Sequence, residues 1–270
     1  MSSLAWITSC RQSACGLPRA LVAGYLLDGP PGDISPEAMN DVAPELSVLF
    51  NWGRLVPVEE PLPALVRTFL LPTTEVIQHY RESTGKVVYV ARDPRGIVAD
   101  MFRGNRGKPE ERQRRAEQLL ASPDEKVLRS EDAHANWQLH AREWTLPERV
   151  RAHFPRLDDV CVIRHEDVMA DPGAALGQIV DFLGVPGGVD SERVRRTVET
   201  WTPMTVMESG VFEMPPGMRE FRTPPPRRQD PQFEPSSVAD VDESLEAAYQ
   251  ERVRDDAEFA ALVKQFGYAD

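Results

Sequence analysis

Residues 6–26 read "WITSCRQSACGLPRALVAGYL", which is a short apolar strand, a tight polar turn and an apolar helix. This order has the outline of a phosphate-binding loop, in which the backbone amides at a helix start receive an anion. The turn departs from that outline, because it contains no lysine and only one glycine. The stretch predicts a strand–loop–helix unit whose loop lacks the residues that usually hold phosphate.

Three more apolar runs predict strands, and each is followed by a helical pattern: "ALVRTFLL" (64–71), "KVVYVARDP" (86–94) and "DVCVIRHEDV" (159–168). The patterns at 73–84 and 132–155 each predict a helix. Strands that alternate with helices predict an α/β fold with a central parallel sheet flanked by helices. In such folds ligands bind beyond the carboxyl ends of the strands. We interpret residues 1–270 as a single domain with mobile insertions near 103–132 and 209–235.

Composition narrows the class of protein. The 270 residues are 41% apolar and 27% charged, which is typical of a soluble globular protein, and the net charge of −12 argues against nucleic acid as a partner. There is no apolar run of the ~18–20 residues that would span a bilayer, and no basic segment precedes an apolar one at the start. Three cysteines are too few for a disulfide framework. We therefore expect a cytoplasmic location and no membrane partner.

Three longer stretches carry a resemblance to a known family: "KVVYVARDPRGIVADMF" (86–102), "NWQLHAREW" (136–144) and "CVIRHEDVMADPGAALGQIVDFLGV" (161–185). Together they resemble the PAPS-dependent sulfotransferases, and most closely the small bacterial enzymes that sulfate glycopeptide antibiotics. The resemblance implies the P-loop-like sulfotransferase fold. It also implies that Arg92 corresponds to an arginine that binds the 3′-phosphate of the nucleotide.

The same alignment shows departures from the family in four parts of the site, and three of the changed positions bear most directly on the chemistry. The family's loop lysine, which balances charge on the bridging oxygen, matches Gln12, and its general-base histidine matches Phe69. The serine that binds the 3′-phosphate matches Asp100, whose carboxylate would repel a phosphate by ~4 kcal/mol for a unit pair ~4 Å apart near a surface. The main interpretation therefore expects no cofactor, and the alternative keeps PAPS.

The candidate site residues lie at or near the predicted carboxyl ends of strands, except His134, which lies on the helix that borders the acceptor site in the family. Asp100, Gln12 and His134 are the candidates for catalysis. The candidates for ligand binding are Ser9, Arg11, Ser13, Phe69, Arg92 and Arg95. Arg92 has a second interpretation, in which it forms an ion pair with Asp100. The spacing of the cysteines and histidines predicts no metal site.

Three functions remain open at this stage. The first is a divergent tailoring enzyme of natural-product biosynthesis, such as antibiotic biosynthesis, that acts without PAPS on a bulky small molecule or a carrier-bound substrate. Its chemistry would be acid–base: a cyclisation, an elimination or a hydrolysis. The second is a genuine PAPS-dependent sulfotransferase with unusual site residues. The third is a non-catalytic homologue that binds a product or a partner. A homodimer is left open.

Overall fold

The computed structural model describes residues 4–10, 15–51, 55–56, 65–103, 109–123, 133–209 and 243–269. Its centre is a four-stranded sheet, and the strands are β1 (Leu4–Thr8), β2 (Val66–Thr68), β3 (Thr84–Ala91) and β4 (Asp159–Arg164). The spatial order is β2-β1-β3-β4, and every neighbouring pair is parallel. This confirms the predicted α/β fold with a central parallel sheet.

Helices pack against both faces of the sheet. They are α1 (Gly16–Leu27), α2 (Pro36–Val42), α3 (Leu46–Asn51), α4 (Glu75–Gln78), α5 (Pro94–Arg103), α6 (Pro109–Leu120), α7 (Trp137–Thr145), α8 (Pro147–His153), α9 (His165–Ala170), α10 (Pro172–Leu183), α11 (Ser191–Thr200), α12 (Pro203–Glu208), α13 (Glu243–Asp255) and α14 (Ala257–Gln265). Short 3₁₀ turns cover Pro31–Asp33 and Ala133–Ala135.

The two faces of the sheet bury separate hydrophobic clusters, because successive side chains of a strand point in opposite directions. Leu4 and Trp6 of β1 join the cluster that contains residues of α7 and α14. Ala5 and Ile7 join the cluster that contains residues of α1 and α10. The carboxyl ends of β1, β2 and β3 consequently lie between two packed layers of helices.

Helix α1 is held tightly against the segment that follows α11. A Cβ atom added at Gly24 would lie 2.4 Å from the ring of Trp201, so only glycine permits this approach. The indole nitrogen of Trp201 also donates to the carbonyl oxygen of Gly29 at 2.8 Å. These contacts fix the direction of α1 and with it the position of the turn that precedes the helix.

Two predicted helices differ from those observed. The helix predicted over 73–84 is only Glu75–Gln78, because Thr84 and Gly85 already belong to β3. Pairing with β1 explains the change: the Leu4 amide donates to Ser83 O at 2.7 Å, and the Trp6 indole donates to the Thr84 hydroxyl at 2.8 Å. The helix predicted over 132–155 is divided into a 3₁₀ turn, α7 and α8.

The predicted insertions are described only in part. Residues 109–120 form α6, which buries Ala116, Leu119 and Leu120, whereas 104–108 and 124–132 lie outside the described residues. The predicted loop over 209–235 lies outside them from residue 210 onward. Among the described helices, no segment has the length and apolar character needed to cross a bilayer.

Candidate functional site

The strand order brings three turns to one edge of the sheet. Thr8, the last residue of β1, has Thr68 of β2 and Tyr89 of β3 as its register partners. Ser9 and Cys10 follow β1 and are buried, and Cys15 is the residue before α1. Arg11, Gln12 and Ser13, which were predicted to act here, lie outside the described residues.

Arg92 follows β3 directly, and its side chain is buried against Asp100 on α5. The two groups form an ion pair, as the second interpretation of Arg92 predicted. The backbone of Arg92 is fixed as well, because the Trp137 indole donates to its carbonyl oxygen at 2.9 Å. The structure therefore places two candidate site residues in direct contact, with the carboxylate of Asp100 lying against the guanidinium.

Arg95 contacts protein groups at the other end of the same turn. Its guanidinium donates to the Asp93 carboxylate at 2.8 Å and to the carbonyl oxygen of Tyr268 at 3.2 Å. It also stacks on the ring of Tyr249, with the guanidinium carbon 4.5 Å from the ring centroid. The structure thus uses Arg95 to hold the last helices of the chain against the turn after β3.

A second arginine, the partly buried Arg67 on β2, lies on the opposite side of the β1 turn. Its Nη1 atom is 2.5 Å from Glu45 Oε2, and its Nε–H donates to Cys15 Sγ at 3.1 Å. Arg19 lies 3.6 Å from the same carboxylate oxygen, and it donates to Asn40 Oδ1 at 2.9 Å. Two guanidinium groups therefore share a single carboxylate beside the start of α1.

The charges in this cluster act on one another. Burial lowers the pKa of Arg19 to about 10, against the opposing field of Glu45. Burial would raise the pKa of Glu45, but the guanidiniums of Arg67 and Arg19 outweigh it and lower this pKa below its ordinary value. All three groups are therefore charged near neutral pH, and the cluster carries a net positive charge.

The backbone that leaves β2 is held by three side chains, and we call residues 69–71 the β2 exit. His140 donates from Nε2 to the carbonyl oxygen of Phe69 at 3.2 Å. The Trp144 indole donates to the carbonyl oxygen of Leu70 at 3.0 Å. The Leu71 amide donates to His134 Nδ1 at 3.0 Å. Helix α7 and the 3₁₀ turn before it thus fix this segment.

These bonds decide what each histidine can do. Because His134 Nδ1 accepts a hydrogen bond, the proton of the neutral ring is on Nε2, so this nitrogen can donate but cannot take a proton. His140 has the same tautomer, since Nε2–H donates to a carbonyl, but its Nδ1 atom is left as the lone-pair nitrogen. Burial lowers the pKa of His140 to about 3, although the Phe69 carbonyl acts in the opposite direction.

Sequence reasoning did not select Arg67 or His140 as site residues. Arg67 could have been found, since an arginine beside the end of a parallel strand has the same signal as Arg92. His140 had no such signal, because its distance from His134 does not suit one helical face. The two histidines meet the same segment only because His134 lies in the 3₁₀ turn before α7. Among the described residues, no group of His, Cys, Asp and Glu could hold a metal.

The fold resembles solved structures of other proteins. The structure of retinol dehydratase in complex with androsterone and the inactive cofactor PAP has a TM-score of 0.57 and 14% identity, over 96% of this chain and 80% of that one. Mouse sulfotransferase SULT7A1 complexed with PAP has a TM-score of 0.51 and 14% identity, over 100% of this chain and 90% of that one. At 14% identity, the similarity to these structures establishes the fold alone.

The expectation that the chain has no cofactor is wrong. Both similar structures contain PAP, the desulfonated form of the nucleotide. Proteins with this fold therefore bind this nucleotide. The physical reason is that an anion site is built by backbone amides and several cations together, so it does not depend on one residue.

The assignment to a family rests on sequence as well as on fold. No curated protein matches the chain. The profile of the family described as "Sulfotransferase domain" matches residues 58–243, which is more than half of the chain and includes β2, β3 and β4. The profile and the fold agree, and the chain belongs to the sulfotransferase domain family.

Proposed function

We propose that this protein binds a 3′-phosphoadenylyl nucleotide where β1, β2 and β3 end, and transfers its sulfuryl group to a hydroxyl of a small molecule. The observation that carries the proposal is the position of Arg67 and Arg92. They lie beside the ends of the two strands that flank β1, on either side of the turn that leads into α1. In a chain with a net charge of −12, buried and partly buried cations gathered at one edge favour an anionic ligand.

The residues present fit such a ligand in charge and in placement. The first turn of α1 contains no acidic residue, so the partial positive charge of this 12-residue helix is not offset there. Arg67 contacts Cys15 directly before the helix. The Thr8 hydroxyl is buried at the end of β1 and has no hydrogen-bond partner among the described residues. Helix amides and Arg67 would hold the 5′ end of the nucleotide, and Arg92 its 3′-phosphate.

Asp100 is the group that opposes binding. Its carboxylate lies against the guanidinium that would receive the 3′-phosphate. A phosphate brought next to it encounters repulsion of ~4 kcal/mol for a unit pair ~4 Å apart near a surface. Arg92 can bond strongly to the phosphate only when the Asp100 carboxylate turns away or takes up a proton. A protonated Asp100 would donate to the phosphate in the way a hydroxyl does.

The nucleotide supplies an activated sulfuryl group, and the chain supplies orientation and charge. Arg67 and the amides of α1 stabilise negative charge that develops on the leaving phosphate. The half-buried Phe69 lies next to this point on the β2 exit and provides an apolar surface for the acceptor. The acceptor class suggested by the resemblance, a bulky natural product that is free or carrier-bound, is part of this proposal.

A second candidate is an elimination on the same acceptor after its hydroxyl has been sulfated. Support for it comes from the name of one similar structure, a retinol dehydratase. A sulfate ester leaves more readily than a hydroxyl, so the nucleotide would still be required. Mass spectrometry separates the candidates: transfer adds one sulfuryl group to the acceptor, whereas elimination removes one water.

Calorimetric titration with PAP tests the main proposal. We expect PAP to bind at least ~10-fold more tightly than adenosine 5′-phosphate, because a charge-assisted bond to the 3′-phosphate contributes ~1.5–3 kcal/mol. The variant Arg92→Gln should abolish this difference, whereas Arg195→Gln, on the exposed face of α11, should preserve it. Equal affinities for the two nucleotides, or no binding of PAP, would contradict the proposal and favour the non-catalytic homologue.

A further inference from the structure

Two deeply buried polar atoms near the β2 exit have no hydrogen-bond partner among the described residues. They are Thr8 Oγ1 and His140 Nδ1, and both residues are 0% exposed. Buried polar groups in folded proteins are nearly always hydrogen-bonded, so two orphaned atoms in one region need an explanation. A ligand group that donates and accepts hydrogen bonds would provide it.

Thr8 and His140 are both neighbours of the same aromatic residue, Tyr89. Tyr89 is the register partner of Thr8, and the Tyr89 and His140 rings have centroids 5.8 Å apart. Thr8 and Tyr89 both point to the face of the sheet on which α7 packs, because they alternate with residues of the opposite cluster. The orphaned atoms therefore share one layer, at the edge where the three strands end.

The hydrogen bond from His140 Nε2 to the Phe69 carbonyl determines the chemistry of the other ring nitrogen. It fixes the ring orientation and the tautomer, so Nδ1 carries a lone pair and no proton. Burial, which lowers the pKa of His140 to about 3, keeps Nδ1 unprotonated at neutral pH. A histidine with one nitrogen anchored on a backbone carbonyl and the other bare has the arrangement of a positioned proton acceptor.

Among the described residues, the other candidates for a base are engaged with other groups or lack a proton acceptor in the side chain. Phe69 has no proton acceptor in its side chain, and His134 Nδ1 already accepts from the Leu71 amide. The Asp100 carboxylate is paired with Arg92. We propose that His140 Nδ1 is the general base of this site and takes the proton of the acceptor hydroxyl, while Thr8 Oγ1 positions that hydroxyl. This inference rests on the proposed function.

The step balances as a group transfer. The acceptor O–H bond breaks and its proton moves to His140 Nδ1. The acceptor oxygen forms a bond to sulfur, and the bond from sulfur to the bridging oxygen breaks. The electron pair of that bond stays on the 5′-phosphate of the departing nucleotide. The negative charge of the nucleotide stabilises the imidazolium, which offsets part of the cost of charging a buried ring.

The variant His140→Gln tests the assignment, because its amide can still donate to the Phe69 carbonyl but offers no basic nitrogen. With PAPS as donor and phenol as the acceptor probe, we expect turnover to fall by ~10²-fold or more. The dissociation constant of PAP should stay within about twofold of the original, since no direct nucleotide contact is lost. The matched control is His153→Gln. His153 lies on α8, away from the β2 exit, and pairs with Glu143 of α7.

NMR of the protein labelled with ¹⁵N at its five histidines gives a readout that does not need turnover. We expect His140 to be neutral and protonated on Nε2 from pH 8 to pH 5, and its Nδ1 signal to move when phenol is added to the PAP complex. A proton on Nδ1, an Nδ1 signal unmoved by phenol, or full turnover in His140→Gln would overturn the assignment. Failure of PAP to bind would instead refute the proposed function.

Discussion

Buried polar groups are satisfied in different ways in two regions of the molecule. One region is Arg92, which follows β3, and the other is the β2 exit, which lies on the far side of β1. Arg92 is neutralised by the carboxylate of Asp100, so a full charge is balanced by a full charge. At the β2 exit, neutral rings donate to or accept from the backbone, and the Nδ1 atom of His140 remains unpartnered among the described residues. The first region is stable but resists an incoming anion, whereas the second retains an unused basic atom.

The difference predicts that the two regions respond to mutation and to pH in different ways. Removing one member of an ion pair leaves a buried charge, which is costly at any pH near neutral. Replacing a buried neutral ring costs packing at every pH, and it changes the pH dependence of stability only where that ring would otherwise take up a proton. The following experiments test this contrast, from the largest expected effect to the smallest.

The largest expected effect is that of Arg92→Met. It leaves the carboxylate of Asp100 buried without its guanidinium, and we expect the free energy of unfolding to fall by ~3–5 kcal/mol. Urea denaturation measures the change. The double variant with Asp100→Leu should recover much of the loss, and Arg195→Met, in an exposed network on α11, should change nothing measurable. A single variant as stable as the double variant would show that the pair is not buried in solution.

The second effect is the pH dependence that His140 confers. Its pKa is about 3 in the folded chain and ordinarily about 6.5, so the unfolded chain takes up the proton first as the pH falls. The stability that the neutral His140 ring contributes is fully present above about pH 6.5 and is lost progressively below it. This contribution is exhausted near pH 3. We expect this group to account for a few kcal/mol of the loss.

Urea midpoints measured at intervals between pH 7 and pH 4 test the prediction. The free energy of unfolding of His140→Gln should decline less steeply with falling pH than that of the original chain. The variant removes the group that takes up a proton when the chain unfolds. Parallel curves for the original chain and His140→Gln would contradict burial of a neutral imidazole.

A smaller effect is expected for Arg67→Met. Glu45 loses its nearest guanidinium but keeps Arg19 at 3.6 Å, so the carboxylate is not left alone. We expect a loss of ~1–2 kcal/mol, clearly below that of Arg92→Met. Thermal or urea unfolding of both variants at one pH gives the comparison. A larger loss for Arg67→Met would mean that Arg19 does not compensate.

The smallest effect concerns the nucleotide. The variant Asp100→Ser removes the carboxylate that competes with the 3′-phosphate for Arg92, and we expect PAP to bind about 10-fold more tightly, or about 1.4 kcal/mol. Adenosine 5′-phosphate, which lacks the 3′-phosphate, should gain nothing and serves as the control ligand in the same calorimeter. Weaker binding of PAP to Asp100→Ser would show that Asp100 takes part in holding the nucleotide.

Much of the fold could be predicted because its signals are local. The run at 86–94 predicted β3, and the glycine at 184 ends α10 with a φ of 69°, as expected for a left-handed helix end. The helix predicted over 73–84 was too long because its end is decided by a contact that is not local. Its last residues, Ser83 and Thr84, meet β1 instead: the Ser83 carbonyl accepts from the Leu4 amide, and Thr84 is the register partner of Leu4, which lies far away in the sequence.

Part of the site was also accessible to sequence reasoning. The pairing of Arg92 with Asp100 was considered because the resemblance places both residues at the family's 3′-phosphate site. The cluster of Arg67, Glu45 and Arg19 was not predicted. It requires α2, α3 and β2 to pack around the start of α1, and no spacing along the chain encodes that arrangement.

The sequence by itself determined the elements, their parallel arrangement and the placement of arginines at strand ends, because propensity, alternation and turn residues act over a few positions. Only the tertiary structure decided how the β2 exit is held. His134, His140 and Trp144 bond to backbone groups 63, 71 and 74 positions away in the chain. Such contacts depend on the packing of α7 against the sheet, and that packing leaves the Nδ1 atom of His140 bare in a buried layer.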